Sequence, residues 1–151
     1  MTRPDTQDSF QLDSTLDFMR LLWAIEHGLQ KQSKRMKAEK GITGPQRLVI
    51  RVVSRFPGIS AGDLARLVKL HPSTITGILQ RLTTAGLLRR DPHPDDTRRV
   101  RLRVTPRADR HARVSSGTVE STVRRVLRQS RSSDLDGARR VLTELAQRLN
   151  E

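Results

Sequence analysis

The sequence predicts a mainly α-helical domain of the α+β class with one short β-hairpin. Most apolar residues recur at intervals of three and four positions, which is typical of amphipathic helices. Residues 99–104 instead alternate Arg with Val or Leu, which is typical of a strand. Shortly before that strand, two short helical patterns are separated by the tight link Lys-Leu-His, and this arrangement predicts a helix-turn-helix.

The first predicted element is a long helix, which follows a flexible polar tail at residues 1–11. Leu12, Leu16, Met19 and Trp23 follow one another at intervals of four, three and four residues. They therefore share one helical face. We expect the helix to end near Gly41, because glycine readily adopts the left-handed conformation that closes a helix.

A second helix is predicted from the start signal Thr-Gly-Pro-Gln. Thr43 and Gln46 fit a capping box, and Pro45 suits the first helical turn. Pro57 and Gly58 should end the helix. One side is expected to be apolar, with Leu48, Val49, Val52, Val53 and Phe56.

The helix-turn-helix comes next. Ser60 should cap its first helix, and Pro72 should be the first residue of its second helix, which Gly86 ends. Ile59, just before the motif, is a candidate for brief pairing as an edge residue. The buried face of the second helix is marked by Ile75, Ile78, Leu79 and Leu82.

A β-hairpin is predicted between residues 87 and 104, with a tip rich in Pro and Asp. Aliphatic residues of its second strand are expected to face inward, namely Val100, Leu102 and Val104. The arginines of that strand should face outward, namely Arg99, Arg101 and Arg103. A hairpin directly after a helix-turn-helix makes the predicted fold a winged helix-turn-helix.

Two further helices are predicted after Thr105-Pro106, and the first is interrupted at Ser115-Ser116-Gly117. In the last helix, apolar residues form a heptad seam of Leu135, Ala138, Leu142, Leu145 and Leu149. Such a seam packs either as a core face within the chain or as a dimer interface. We favour a dimer, with dimerisation helices at residues 12–42 and 107–151 around a winged lobe at residues 43–106.

The charge is strongly positive and unevenly distributed. The 151 residues carry 29 Lys and Arg against 16 Asp and Glu, which gives a net charge of +13. Residues 89–131 alone hold 13 Arg against 5 acids. Arginine favours bidentate contacts with phosphate and guanine. Nucleic acid or an anionic membrane is therefore the first partner to consider, although a genome that prefers Arg codons is an alternative source of part of the excess.

Other classes of protein are excluded or disfavoured. The chain has no cysteine, which excludes disulfides and zinc knuckles. No apolar run approaches the roughly 20 residues of a membrane span, and the polar first residues do not resemble a signal peptide, so we expect a soluble, cytoplasmic protein without membrane contact. The four histidines are scattered, and no nucleophile–base set or phosphate loop is visible. We therefore expect no enzyme activity, no metal and no cofactor.

The order of these elements resembles that of the MarR family of bacterial transcriptional regulators. The motifs that carry the resemblance are Leu64-Ala65, Pro72-Ser73-Thr74-Ile75-Thr76, Gly86-Leu87-Leu88 with Arg90, and Asp95-Asp96-Thr97-Arg98-Arg99. The resemblance spans residues 12–149 and is strongest over residues 60–106. It implies an obligate homodimer that usually represses transcription until a small molecule releases it from DNA. Two-fold symmetry then implies a pseudo-palindromic double-stranded operator.

The second helix of the motif is expected to present its N-terminal residues to base edges in the major groove. The candidate contacts are Pro72, Ser73, Thr74, Thr76, Gly77, Gln80 and Arg81. Ser73 has an alternative role in capping the helix, and both roles can coexist. Gly77 stands where many family members carry a long basic residue, which removes a guanine contact but lets the backbone approach the groove. His71 is expected to be a poor cap, with a phosphate contact as the alternative.

The resemblance places Arg98 of the wing in the minor groove, where a narrow A·T-rich groove attracts arginine. Asp96 is positioned to hold the Arg98 guanidinium by a charge-assisted pair. Arg99, Arg101 and Arg103 are then available to flanking phosphates. A solvated, charge-balanced hairpin is the alternative. Two further basic clusters, at residues 31–40 and 124–131, either contact DNA or form solvated faces.

In the family, effectors bind between the dimerisation helices and the DNA-binding lobe. The candidate contacts by position are Met19, Arg20, Trp23, His27, Leu48 and Arg51. A Trp with an Arg suits an aromatic carboxylate. The chain has no tyrosine, which weakens the analogy with phenol-sensing members, so a larger acyl compound or no effector at all are the alternatives.

A non-specific architectural protein of the bacterial or archaeal nucleoid is the competing function. Base readout is favoured because Ser, Thr and Gln occupy the recognition helix, and Arg81 is the only basic residue within residues 72–86. A ligand-independent regulator is a third alternative with the same sequence features.

Overall fold

The computed structural model describes residues 11–151, so the predicted tail lies outside the described residues except for Gln11. The helices in this range are α1 (Ser14–Lys40), α2 (Gly44–Arg55), α3 (Ala61–Val68), α4 (Pro72–Thr84), α5 (Asp109–Ala112), α6 (Val119–Gln129) and α7 (Ser132–Arg148). A hairpin of β1 (Leu88–His93) and β2 (Asp96–Val104) lies between α4 and α5. This order confirms the predicted winged helix-turn-helix fold.

Local signals in the sequence explain where the first helices begin and end. A carboxylate oxygen of Asp13 accepts a hydrogen bond from Leu16 N at 2.9 Å and caps α1. Gly41 closes the same helix with a φ of 72°, as predicted. The capping box of α2 is complete, because Gln46 N donates to Thr43 Oγ1 at 3.3 Å and Thr43 N donates to Gln46 Oε1 at 3.0 Å.

The second strand of the hairpin is hydrogen-bonded to the segment between α2 and α3. β1 and β2 are antiparallel, and Leu88 lies opposite Val104. Ile59 O accepts a hydrogen bond from Leu102 N at 3.0 Å, and Gly58 N donates to Leu102 O at 2.8 Å. The predicted edge pairing of Ile59 is therefore confirmed, and it anchors the base of the wing to the segment between α2 and α3.

The hydrophobic core lies almost wholly within the winged lobe. Most of its fully buried members come from α2, α3, α4 and the hairpin, namely Val49, Ile50, Val53, Leu64, Ile75, Leu79, Leu82, Leu88 and Leu102, and Ile42 and Ala108 add to it from either side of the lobe. Two residues predicted for the apolar side of α2 are instead exposed, with Leu48 at 46% and Phe56 at 48%. That prediction was wrong for these two residues, because the buried face of α2 is centred near Ile50, Leu48 lies on the opposite side of the helix, and Phe56 follows its last residue.

The C-terminal segment is divided more sharply than the sequence indicated. After a 3-10 turn at Pro106–Ala108, α5 ends at Ala112, and the Ser-rich interruption separates it completely from α6. Gly117 takes a φ of 67° at this break. The buried Thr118 then caps α6 by accepting a hydrogen bond from Ser121 N at 3.1 Å.

The helices α1, α6 and α7, which we call the outer helices, contribute little to the core. Met36 is the only buried residue of α1, and α6 and α7 have none. The heptad seam of α7 is thus not a core face within the described residues, and Leu142 and Leu149 are exposed. No helix in residues 11–151 is both long enough and apolar enough to cross a membrane.

Candidate nucleic-acid interface

The start of α4 is built around His71. Its Nδ1 accepts a hydrogen bond from Ser73 N at 3.2 Å and lies 2.6 Å from Ser73 Oγ. Pro72 occupies the first turn of α4. A backbone N–H at this position would have no acceptor within the helix, so the helix loses no hydrogen bond to proline. The expectation that His71 is a poor cap was wrong, because an imidazole nitrogen can accept the bond that Ser or Asp usually accepts. The cap fixes the exposed first turn of α4.

One face of α4 is buried and the opposite face is open. Ile75, Ile78, Leu79 and Leu82 pack into the core. The predicted base-contacting side chains are all exposed, namely Pro72, Ser73, Thr74, Thr76, Gln80 and Arg81. Thr76 Oγ1 donates to Pro72 O at 2.9 Å, so its oxygen remains an acceptor toward a partner. The structure thus presents these residues together on a single surface.

Gly77 is half-buried on this helix, and a Cβ built there meets nothing within 4 Å. Packing inside the chain therefore does not require glycine at this position. A close approach of a partner to the helix backbone stays a prediction.

At the wing tip, Asp96 holds the backbone of Arg98 more closely than its guanidinium. Asp96 Oδ1 accepts from Arg98 N at 3.0 Å, whereas Arg98 Nε lies 3.9 Å from the same oxygen. The expected charge-assisted pair is therefore too long for a hydrogen bond. Since the Arg98 side chain is 95% exposed, Asp96 shapes the turn and leaves the guanidinium open to a partner.

The strand arginines do not all face solvent as predicted. Arg99 is exposed, but Arg101 is half-buried, and its Nη2 lies 3.2 Å from His93 Nε2. Val100, predicted to face inward, is 39% exposed. The inward–outward alternation holds at Leu102 and fails toward the tip, because the hairpin extends past the core and neither face is covered there.

At the base of the wing, an aspartate lies close to two arginines that face each other across the hairpin. Arg89 and Arg103 are directly opposite each other in the hairpin register, an arrangement that repels. Asp91 lies 3.3 Å from the Nε of each of them and bridges the pair. Arg103 is thus partly engaged within the hairpin, and Arg98 and Arg99 are the more accessible wing cations.

A large groove lies behind the winged lobe, between α1, α2 and α6, with a volume of about 1150 Å³. Two of the predicted effector contacts, Leu48 and Arg51, line it. The other four lie outside it on the N-terminal half of α1, namely Met19, Arg20, Trp23 and His27. Their role in ligand binding stays a prediction. The aliphatic walls come from Leu29, Leu48, Val52, Val119, Val123 and Leu127.

A buried arginine joins α2 to the C-terminal segment at one end of this groove. Arg47 is 3% exposed, and its two terminal nitrogens donate to His111 O and Arg113 O, both at 2.6 Å. Glu120 Oε2 lies 3.1 Å from Arg47 Nη2. Arg47 Nε is buried and has no hydrogen-bond partner among the described residues.

Glu120 also contacts two other arginines. Its Oε1 lies 3.2 Å from Arg51 Nη2 and 2.7 Å from Arg124 Nη2. Arg51 donates in addition to Ala112 O. This network was missed at the sequence level, although a signal existed: Glu120 is the only acid within residues 110–131, a stretch rich in arginine.

His111 is buried beside this network. Burial lowers its pKa below the ordinary value of 6.5, and the nearby positive charges of Arg110, Arg47 and Lys40 lower the pKa further. Arg110 Nε donates to His111 Nε2 at 3.1 Å, which also favours the neutral ring. Clusters of three or more His, Asp or Glu side chains able to hold a metal are absent from residues 11–151.

An exposed polar helix face, a capped turn and an arginine-bearing hairpin define this chain as a winged helix-turn-helix protein. Residues 40–99 match the sequence model of the MarR family, and the chain belongs to this family of transcriptional regulators. It is 30% identical over 105 residues to the HTH-type transcriptional regulator TtmR of Methylorubrum extorquens, an alignment that covers 70% of this chain and 53% of TtmR. The match thus extends over about half the length of that relative.

Other relatives are covered almost completely. The HTH-type transcriptional repressor Rv2887 of Mycobacterium tuberculosis is 25% identical over 125 residues, which cover 83% of this chain and 90% of the repressor. The structure of PcaV from Streptomyces coelicolor with its natural ligand superposes with a TM-score of 0.72 at 22% identity, covering 92% of this chain and 98% of PcaV. FabT of Streptococcus pneumoniae in complex with DNA gives 0.66 at 18% identity, with 91% and 98% covered. At these identities the two structures establish the fold alone.

Proposed function

We propose that this chain is a homodimeric, sequence-specific double-stranded DNA-binding regulator that represses transcription and is released by a small molecule. The observation that carries the proposal is the open face of α4, which presents uncharged hydrogen-bonding side chains on a rigid, capped helix. Gln80 can bind adenine through two hydrogen bonds, and the hydroxyl groups can bind base edges, whereas a face covered by Lys and Arg would favour phosphate contacts without sequence preference. FabT, which shares the fold, was solved bound to DNA.

The wing supplies the second contact in this proposal. Arg98 enters the minor groove next to the operator half-site, and Arg99 meets a neighbouring phosphate, with Arg101 in a supporting position beside His93. The structure leaves the Arg98 guanidinium exposed, as such a role requires. A narrow minor groove attracts an arginine through its negative potential.

A second copy of the chain completes the regulator. The outer helices leave large apolar side chains exposed, and these include Leu16, Phe18, Trp23, Ile25, Val126, Val141, Leu142 and Leu149. Residues 12–42 and 107–151 form the dimer, and residues 43–106 bind DNA. Two-fold symmetry then sets the operator half-sites about one helical turn apart, and binding to a chromosomal operator places the protein at the nucleoid.

The groove between α1, α2 and α6 is the site proposed for the effector. PcaV, which has the same fold, was solved with its natural ligand. A ligand in this groove contacts both the winged lobe and the outer helices, so it can change the spacing between the two recognition helices.

The proposal is tested by fluorescence anisotropy on DNA from upstream of the chain's own gene, against scrambled DNA, at two salt concentrations. We expect saturable binding to the native DNA that persists at the higher salt. Equal affinity for both DNAs, lost together as salt rises, would indicate phosphate contacts only and support the architectural alternative.

Arg98→Ala sharpens the same experiment. We expect a loss of at least about 1 kcal/mol in binding to the native DNA, with folding unchanged. Arg140→Ala is the matched control, because Arg140 is an exposed arginine of α7 away from the wing. Equal affinity of the two variants would remove Arg98 from the interface.

A further inference from the structure

The first turn of α4 fixes the direction of one hydroxyl group. Ser73 N lies 3.2 Å from His71 Nδ1, and a backbone N–H can only donate. His71 Nδ1 therefore carries a lone pair and no proton. Ser73 Oγ lies 2.6 Å from the same nitrogen, so the serine O–H is the donor of that hydrogen bond. The hydroxyl proton of Ser73 is thus held within the turn, and its oxygen lone pairs are what remains for a partner.

A second hydroxyl group on α4 is fixed in the same direction by a different acceptor. Thr76 Oγ1 lies 2.9 Å from Pro72 O, and a carbonyl oxygen can only accept, so the threonine O–H donates. Thr76 follows Ser73 by three positions, a spacing that makes them neighbours on one helical face. Both side chains are exposed. Two neighbouring hydroxyl groups on this face are therefore committed as acceptors toward a partner.

The four bases differ in what they offer to such an acceptor. In the major groove, adenine presents the N6 amino group and cytosine the N4 amino group, whereas guanine presents O6 and thymine O4. A hydroxyl oxygen gains a hydrogen bond from an amino group. Opposite a keto oxygen it meets a second acceptor, and both groups lose their hydrogen bonds to water without replacement. A hydroxyl with a free proton would bind either kind of base, so the direction of the O–H decides the preference.

We propose that Ser73 and Thr76 select the amino bases A and C over the keto bases G and T on the strand that they face, without distinguishing A from C. This inference rests on the proposed function, because it gives the class of base that the recognition helix selects. His71 is a positioning residue here, since it acts through the Ser73 proton. Gln80 has both an amide N–H and an amide oxygen and is able to bind adenine bidentately, so it is suited to tell A from C.

Selection of binding sites from a random pool of double-stranded DNA by the full chain tests the preference. Ser73→Ala and Thr76→Val each remove one hydroxyl, and the base pair whose preference changes in a variant is the pair that the hydroxyl faces. At these two pairs, we expect the wild-type chain to accept A and C and to disfavour G and T at least about fivefold, because a keto oxygen leaves the hydroxyl without a bond. Each variant should lose the preference at its own pair.

Thr84→Val is the matched control, because Thr84 is an exposed threonine in the last turn of the same helix. It should change the preference at neither pair. A preference for keto bases at the pair facing Ser73 or Thr76, or a preference that removal of the hydroxyl leaves unchanged, would overturn the proposal.

Substitutions of His71 test whether it sets the direction of the Ser73 hydroxyl. His71→Ala frees the serine proton, so the pair facing Ser73 should accept G and T as well as A and C. The pair facing Thr76 should keep its preference, because the acceptor of Thr76 is Pro72 O. His71→Asp provides an acceptor again and should restore the amino preference at the Ser73 pair. Equal relaxation of both pairs in His71→Ala, or no restoration in His71→Asp, would show that His71 acts only as a cap.

Base analogues identify the group that Ser73 contacts. With adenine placed at its pair, 2′-deoxynebularine lacks the amino group and 7-deazaadenine lacks the N7 acceptor. We expect loss of the amino group to weaken the wild-type chain at least about fivefold more than Ser73→Ala, a coupling that assigns the contact to this pair of groups. Loss of N7 should weaken the two proteins equally. The reverse pattern would show that Ser73 donates to the base, and the proposal would fail.

The same selection separates this inference from the proposed function. A pool that yields no enriched sequence would refute sequence-specific binding, and the base preference with it. A defined operator whose pairs at Ser73 and Thr76 carry keto bases would refute the base preference alone, and the proposed regulator would stand.

Discussion

The winged lobe buries most of its large apolar side chains, whereas the outer helices leave many of theirs exposed. The lobe buries its aliphatic residues within one chain, from Val49 in α2 to Leu102 in β2. The outer helices bury only Met36 and expose residues such as Trp23 and Leu142. Burial stabilises by about 25 cal/mol per Å² of apolar area, and the lobe gains this free energy on folding. In the proposed dimer, the outer helices would gain it on association, so folding and dimerisation would depend on different parts of the molecule.

The largest expected effect is a loss of stability in the winged lobe. Leu79→Ala removes a fully buried side chain of α4 and should lower the free energy of unfolding by about 3 kcal/mol, because it leaves a cavity. Urea denaturation measures this change. Leu67→Ala, at an exposed position of α3, should cost less than about 0.5 kcal/mol. Similar losses in both variants would mean that the lobe core is not packed as described.

A charge on α7 should affect association rather than folding of the lobe. Leu142→Asp places a carboxylate on the apolar seam and should raise the dimer dissociation constant at least about tenfold, since an unpaired charge is costly to bury. Sedimentation equilibrium measures the constant, and Arg140→Asp on the same helix is the control. A wild-type chain that stays monomeric at every concentration would show that the outer helices do not bury their apolar side chains by association.

Gly77→Ala separates the stability of the lobe from its interface. The new Cβ meets nothing within 4 Å, and alanine favours a helix over glycine by up to about 1 kcal/mol. The variant should therefore unfold at higher urea concentration. If glycine serves a close approach of DNA to the helix backbone, the same variant should bind native DNA more weakly. A more stable variant with unchanged DNA affinity would show that Gly77 has no role in the interface.

The smallest expected effect is a pH dependence at the junction of the two regions. The folded state lowers the pKa of His111 below 6.5, so the unfolded chain takes up a proton at a higher pH than the folded chain does. This group's contribution to stability should be constant above pH 6.5, fall as the pH drops below 6.5, and level off below the folded pKa. Urea denaturation across this range should show a smaller decline in His111→Gln. Identical declines in both proteins would assign the effect to other groups.

The elements that the sequence predicted well are those with local causes. The capping box of Thr43 and Gln46 and the left-handed Gly41 involve residues close together in the chain. Periodicity located the buried face of α4 because its apolar residues are bounded by polar neighbours. On α2, apolar residues occur on more than one side, and periodicity alone did not distinguish the core from the groove at Leu48 and Phe56.

The parts of the candidate site that escaped prediction depend on distant contacts. Arg47 and Glu120 are 73 residues apart in the sequence, and no local pattern pairs them. The Asp96–Arg98 interaction was assigned to the wrong atoms, because a spacing of two residues permits contact with the backbone as well as the guanidinium. His71 was misjudged as a cap because its ring orientation, which brings Nδ1 to Ser73, is fixed only in the folded turn.

The acceptors of Arg47 and Arg51 at the end of α5 are the main-chain carbonyls of His111, Ala112 and Arg113. Every amino acid provides such a carbonyl, so side chains at these three positions can change during evolution without loss of the hydrogen bonds to Arg47 and Arg51. An insertion or deletion within residues 109–113 would instead shift the carbonyls out of reach. In this part of the chain, descendants of the sequence can vary in composition far more freely than in length.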